Sequence, residues 1–575
     1  MAVRTRDGWW DGRRLAVAAL TAVAMLAHGC GDGSSGTADD GGGAGDGAAL
    51  PDDGGGGRAD GAALGDGGDP GPTVCPVEPL ADISGATAVG TEAALRSALA
   101  AGGRVRLTAD ITASAPFPIT LPTVLDGDGH TLSGGNATHL LVATMTDLTV
   151  QNITLRDARN LVPATQHFSR QSGAAIMVNG GNGTTDGAAR GSLKLVRATL
   201  LGNRAEMVSN GDIRGGAVYL FNTPNATFSE VTFRANVGVS GGAIGGLGSS
   251  LAISNSVFDA NQASNAGRAG TLDGTGGAIS LDAVSQNKQT AYFRICGATF
   301  QDNRAARIGG AIYDVNHWKT GTVVSVEQTT FLGNATTSTT EGQGGAIFVM
   351  DDDKYPANTG SANQTRISAS LFTDNRTWGQ GGGVWYWSSD GSLLVQNTTF
   401  QGNRIPDINA LGMGGALAVS RGRMTTVAGC TFADNYAKFH GGGIQISGSA
   451  DAVVTLGNSL FHNNLSNRNG GYANFHTNRA ADVDLGGNMQ YLAPGMVIDV
   501  NSNALVAAGA MRADAQLMPL GQNGGPTRTM ALPAGSPARN AGVSTAALPA
   551  QARALDQRGF ARDGQPDIGA FEVVP

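Results

Sequence analysis

Gly276-Gly277-Ala278-Ile279, Gly309-Gly310-Ala311-Ile312 and Gly344-Gly345-Ala346-Ile347 repeat one phrase, and Phe300-x-x-Asn303 and Phe331-x-x-Asn334 stand between the copies. The same alternation extends outward in both directions. The glycine phrase returns at Gly215, Gly241, Gly381, Gly414 and Gly441, and the Phe-x-x-Asn phrase at Phe233, Phe258, Phe372, Phe400, Phe432 and Phe461. Self-similarity at roughly 25 to 40 residues is the mark of a solenoid.

Each repeat spells out strands. Before Phe258 stand Leu251 and Ile253, two apart, then a polar turn, Ser254-Asn255-Ser256. Leu193/Leu195, Phe293/Ile295 and Leu393/Val395 take the same places in other repeats. Apolar residues at period two, a short turn and a Phe give a strand, a bend and a second strand. The glycine phrase leads a third, with Ile279/Leu281, Ile347/Val349 and Leu417/Val419 alternating inward. Three short strands per repeat predict an all-β, right-handed, single-stranded parallel β-helix of the pectate-lyase type, its coils about 4.8 Å apart. Asn203, Asn236, Asn261, Asn303, Asn334, Asn375, Asn403, Asn435 and Asn464 fall at one point of the turn and are expected to stack as an internal ladder. The paired glycines are expected where a Cβ cannot be accommodated.

These phrases resemble the GGA(I/V/L) and FxxN repeats of polymorphic outer membrane proteins, over roughly residues 190–475. The resemblance implies a surface-exposed, adhesin-like passenger. The chain departs from that family in carrying no outer-membrane β-barrel of its own, so self-translocation is not expected.

Residues 1–30 read as an export signal: Arg4, Arg6, Arg13 and Arg14 precede an apolar run, Leu15 to Ala27, too short to span a bilayer. Cys30 after Ala-His-Gly looks like a lipoprotein cleavage site, with Leu26 one place early. Residues 31–85 are assigned to a Gly/Asp/Ala tether. The helix from Thr91 to Ala101, capped by Thr91 and stopped by Gly102-Gly103, is read as the lid of a β-helix over residues 86–484. Residues 485–575 carry Asn523-Gly524-Gly525-Pro526-Thr527, Asp556-Gln557-Arg558-Gly559 and Asp567-Ile568-Gly569-Ala570-Phe571-Glu572, which resemble the choice-of-anchor Q module. That module is expected to close the last coil, leaving attachment to the lipid on Cys30.

Acidic residues exceed basic ones, 46 to 38, which argues against a nucleic-acid partner. Cys296 and Cys430 fall about four coils, or about 19 Å, apart and are expected not to bond each other. A monomer is expected. No metal set is assigned; Asp126, Asp128 and His130 are read as a turn phrase, and calcium is the one cofactor the chemistry leaves open.

The candidate site is an outward strip on the glycine-led strands. Tyr313, Phe348 and Trp385 stand at equivalent outward positions, followed two residues on by Val315, Met350 and Trp387. Trp318, Asp351, Asp352 and Asp353 are placed on the adjoining loops. Aromatic faces stack on sugars and carboxylates bond hydroxyls or calcium, so the strip is read as a polysaccharide- or protein-binding surface. The alternative is that long loops, such as Met350 to Gln364, bury it. A polysaccharide lyase or glycoside hydrolase is the enzymatic rival, needing convergent carboxylates that the run Asp351–Asp353 does not supply. No catalytic residue is assigned.

Overall fold

The computed structural model describes residues 74–160, 172–181, 191–205, 214–264, 274–282, 291–316, 319–340, 342–351, 362–406, 412–421, 424–446, 452–466, 475–497 and 502–574. Cys30 and the segment 31–73 lie outside them. Within them the chain is a right-handed parallel β-helix. Three long sheets run along its axis, and every strand pairs in parallel with its counterpart one coil away.

The first sheet has 14 strands, from Thr87–Val89 to Val483–Asp484; the glycine-led sheet has 11, from Phe117–Ile119 to Ile444–Ile446; the phenylalanine sheet has 14, from Ile111–Thr112 to Met511–Arg512. A fourth element that the pattern did not disclose follows every ladder asparagine except Asn375, after which Arg376 makes single bridges. It is a two-residue strand, as at Arg304–Ala305, paired with Gln262–Ala263 on one side and Ala335–Thr336 on the other.

Register puts like on like, so Phe258 pairs with Phe300 and Phe300 with Phe331. From Phe233 to Phe461 the rings form one buried column, centroids 4.4–4.9 Å apart and planes within 10° of parallel. Beside it runs the asparagine column. Each Nδ2 from Asn203 to Asn435 donates to the Oδ1 of the next asparagine at 2.8–3.0 Å. The same Oδ1 takes the backbone N–H of the asparagine below, and the second amide hydrogen goes to a carbonyl one coil back, that of Leu155 or Leu200 for the first two and of a Phe thereafter, as Asn334 does to Phe300 at 2.9 Å. Donors and acceptors are thereby matched inside the buried lumen. The column ends where Asn464 Nδ2 meets His476 Nδ1 at 3.3 Å.

The two glycines of each pair answer different constraints. Gly309 has φ +66°, a left-handed backbone. Gly310 lies so close to the next coil that a Cβ would meet the Gly345 carbonyl oxygen at 1.9 Å.

Helix Glu92–Ala101 covers the first coil with Leu95, Ala98 and Leu99, and Thr91 Oγ1 caps it by accepting from the Ala94 N–H. At the other end Val506, Ala507 and Ala510 join the main core and close it. Only residues up to Arg512 act as that closure. The rest of the C-terminal region turns back along the corner between the first and phenylalanine sheets. Asn458 bonds Val543, Thr431 bonds Ala570, Thr399 bonds Gln557, and Thr527 reaches Ala369.

The tether boundary at residue 85 is also corrected. Cys75 is disulfide-bonded to Cys296, with Cα atoms 5.3 Å apart, and residues 76–81 follow the same corner. Pro76 O accepts from Asn255, the Glu78 N–H donates to Ser229, and the Ala81 N–H donates to Gln151 at 2.7 Å. Free Cys430 is buried, so Cys296 and Cys430 are indeed not partners. Each corner position from Asn152 to Asn458 is a left-handed residue, and the side chains of Asn255, Asn397 and Asn458 bond the docked segments.

Candidate functional site on the glycine-led sheet

Strands Ile312–Asn316, Ile347–Asp351 and Val384–Ser388 pair residue for residue, which aligns Tyr313 with Phe348 and Trp385, and Val315 with Met350 and Trp387. Outside the lumen the Tyr313 and Phe348 rings stack at 5.2 Å, and Trp385 lies 4.8 Å from Phe348 with its plane tilted by 52°. Trp385 Nε1 donates to Ser420 Oγ at 2.9 Å, and the Arg421 guanidinium lies over Trp387. The strip is therefore contiguous. It is not open to solvent: none of Tyr313, Phe348, Trp385 and Trp387 exceeds 7% exposure. A second patch on the same face, Met177, Tyr219 and Phe221, is buried likewise. Trp318, Asp352 and Asp353 lie outside the described residues.

Asp351 is not a loop residue. It ends strand Ile347–Asp351 and occupies an inward position, level with Asn316 and Ser388. Two residues earlier in each strand the inward row reads Leu220, Gly246, Leu281, Asp314, Val349, Tyr386, Val419 and Ile446. An aspartate thus stands in the aliphatic wall of the core, fully buried between Leu281 and Val349 and two coils from the buried Tyr386. Sequence reading missed it, although the signal was present: Asp314 falls at the slot that Leu281 and Val349 fill in neighbouring repeats.

The cluster has few internal partners. Asn316 Nδ2 donates to Asp314 Oδ2 at 2.9 Å, and Asn363 Nδ2 approaches Asp351 Oδ1 at 3.4 Å. Four buried oxygens, Asp314 Oδ1, Asn316 Oδ1, Asp351 Oδ2 and Tyr386 OH, have no hydrogen-bond partner. Burial drives the acidities. It lifts Asp314 well above the carboxylate range, and the Asp351 charge adds to the effect. Burial lifts Asp351 to about 7, opposed by Asn363 and by Asn316 and Tyr386, which lie close without meeting hydrogen-bond geometry. Desolvation, then the Asp351 charge, pushes the Tyr386 phenol well above its ordinary value.

Other polar residues do structural work. Asp126 accepts from Gln151 Nε2 at 2.6 Å and from the Asp128 N–H, while His130 approaches Asp110 at 3.3 Å, so Asp126 and His130 serve different turns. Asp282 pairs with Arg214 at 2.9 Å on the outer face. His476, at the ladder's end, is held down to about 3 by burial and then by the nearby His462. Among the described residues no three His, Cys, Asp or Glu side chains converge, and no helix is long and apolar enough to cross a membrane.

The comparisons agree with the repeat. The Chlamydia polymorphic membrane protein (Chlamydia_PMP) repeat matches residues 297–314, which hold the phrase from Phe300-x-x-Asn303 to Gly309-Gly310-Ala311-Ile312. Metabotropic glutamate receptor-like protein Q of Dictyostelium discoideum is 24% identical over 288 residues, 47% of this chain and 22% of its own length. The chain therefore spans about a fifth of that relative. The crystal structure of pectate lyase Pel9A, 13% identical, aligns with 84% of this chain and 90% of that one at a TM-score of 0.26, which supports no residue correspondence.

Proposed function

We propose that this protein is an exported, cell-surface β-helix that binds a polysaccharide or a surface protein, in the manner of an adhesin, and is held at the outer membrane through a lipid on Cys30. The observation that carries export is the Cys75–Cys296 disulfide, a bond that persists in oxidising compartments. The polymorphic membrane protein repeat supports the surface assignment, and residues 485–575 are taken as a choice-of-anchor Q-like module.

Coil architecture favours binding through the flanks of the glycine-led sheet. From Asn152 to Asn458 the turn between the first and phenylalanine sheets is always two residues long. The connections on either side of the glycine-led strands vary widely: Gly238 to Ile244 is direct, whereas Ala263 to Ile279 spans a much longer stretch. In solenoids, insertions of unequal length gather on one face, and that face is often the one that binds. The aromatic rows are themselves buried, so stacking of sugars on Trp385 does not form part of the proposal.

An array of polysaccharides and glycans, read for retention and for degradation with and without calcium, tests the proposal. Retention without degradation is expected. Release of unsaturated uronides would replace it with a lyase. Export is tested separately by Cys30→Ser, which should move the protein from the membrane fraction to the soluble exported fraction.

A further inference from the structure

The geometry points to a buried calcium site inside the solenoid, ligated by Asp314, Asn316, Asp351, Tyr386 and Ser388. Three of these oxygens share a focus. The position that a Cβ on Gly391 would take lies 2.7 Å from Asp351 Oδ2, 2.7 Å from Ser388 Oγ and 2.9 Å from Tyr386 OH. Their mutual separations are thus below about 6 Å, and the absence of a Cβ at Gly391 keeps a carbon from being driven onto them. Asn316 and Ser388 flank Asp351 on the adjoining strands, and Asn316 ties Asp314 to the group.

Four of the oxygens are at once buried and without a partner. Elsewhere in this lumen the asparagine column satisfies its donors and acceptors through its neighbours, and the unpaired atoms at Thr365 Oγ1 and Thr425 Oγ1 are single hydroxyls. Neither carboxylate forms an ion pair with a described residue; Arg214 is engaged with Asp282, and Arg421 lies over Trp387 on the outer face. Two uncompensated carboxylates surrounded by aliphatic side chains require a cation or a proton each. The ligand atoms decide which ion suits. All are hard oxygens, with carboxylate, amide and hydroxyl types mixed, a set that calcium accepts in irregular coordination and that lacks the nitrogen and sulfur donors of zinc or copper. Two carboxylates match its charge. Such an ion would join three consecutive coils where the hydrophobic wall is interrupted.

The test uses the full chain, purified without chelator and then stripped. Wild type is expected to carry one calcium per chain by elemental analysis. After stripping, it should bind terbium with luminescence sensitised by Tyr386, and calcium should quench that signal and raise the melting temperature. Asp314→Asn with Asp351→Asn should abolish the luminescence, and Gly391→Ala should weaken terbium binding at least tenfold. A folded, stripped wild type that gives neither luminescence nor a calcium-dependent melting shift overturns the site, whatever the variants do. An equal response in wild type and in folded Asp314→Asn/Asp351→Asn also overturns it, because the ions would then lie on the surface.

Discussion

Two regions of the same lumen solve the same problem in different ways. At the phenylalanine corner, identical residues recur in every coil, and each asparagine supplies what its neighbour lacks. At the far end of the glycine-led sheet, Asp314, Asn316, Asp351, Tyr386 and Ser388 are all polar but no two adjacent coils repeat the same residue. Self-complementarity makes a ladder; its absence leaves oxygens facing oxygens. Buried polarity is thus tolerated without an added partner only where the repeat is kept.

The sharpest way to break the first region is to interrupt its column. Phe331→Ala removes a ring stacked 4.9 Å from Phe300 and 4.7 Å from Phe372, in a wall that cannot collapse without losing register. A loss of about 3–5 kcal/mol is expected. Asn334→Ala orphans the acceptor-seeking N–H groups of Asn303 and the Phe300 carbonyl, and should cost on the order of 1–3 kcal/mol for each group left unpaired. Because a solenoid can open locally, hydrogen exchange at residues 299–305 and 371–376 is the appropriate readout. Protection unchanged there would show that the column is ornamental.

The second region should respond with the opposite sign. Asp314→Leu restores the side chain that Leu281 carries at the same slot one coil earlier. In chelator it should stabilise the fold by about 1–3 kcal/mol, since a desolvated carboxyl is exchanged for a packed aliphatic group. With calcium present the gain should shrink or reverse. A loss of stability in chelator would mean that Asp314 is compensated within the chain.

The contrast also explains what sequence disclosed. The fold and the alignment of Phe and Asn rest on phrases repeated coil after coil, and periodicity is what sequence reading detects. Asp314 and Tyr386 are singular, so they became visible only against the register of neighbouring strands. The strip Tyr313–Phe348–Trp385 was placed on the outer face by alternation, but alternation says which face a side chain occupies and nothing about what lies over it. Cys75 precedes the repeats, and the corner path that brings it to Cys296 has no period to announce it. Asp352, Asp353, Trp318 and Cys30 fall outside the described residues, so the loop half of the expected site rests on sequence alone.

The effect of pH is a partial cancellation, because the two regions pull against each other. Asp351 titrates at about 7 in the fold and near 3.8 when unfolded, so its contribution is complete below about pH 4 and is lost as pH rises through 7. Asp314, also raised, adds to that loss. His476 behaves inversely: held at about 3 against 6.5 unfolded, it contributes fully above pH 6.5 and loses that contribution as pH falls toward 3. Between pH 4 and 6.5 each fully coupled group changes stability by about 1.4 kcal/mol per pH unit, and the signs oppose. The two acids outweigh the one histidine, so wild type in chelator should show a decline in urea midpoint as pH rises across this window. Asp314→Leu with Asp351→Asn should reverse the slope and expose the His476 contribution. His476→Asn keeps an acceptor for Asn464 while removing the titration, and should steepen the decline. If the double carboxyl variant keeps the wild-type slope, the buried acids are not what sets it, and the distinction between a satisfied corner and an unsatisfied one loses its energetic content.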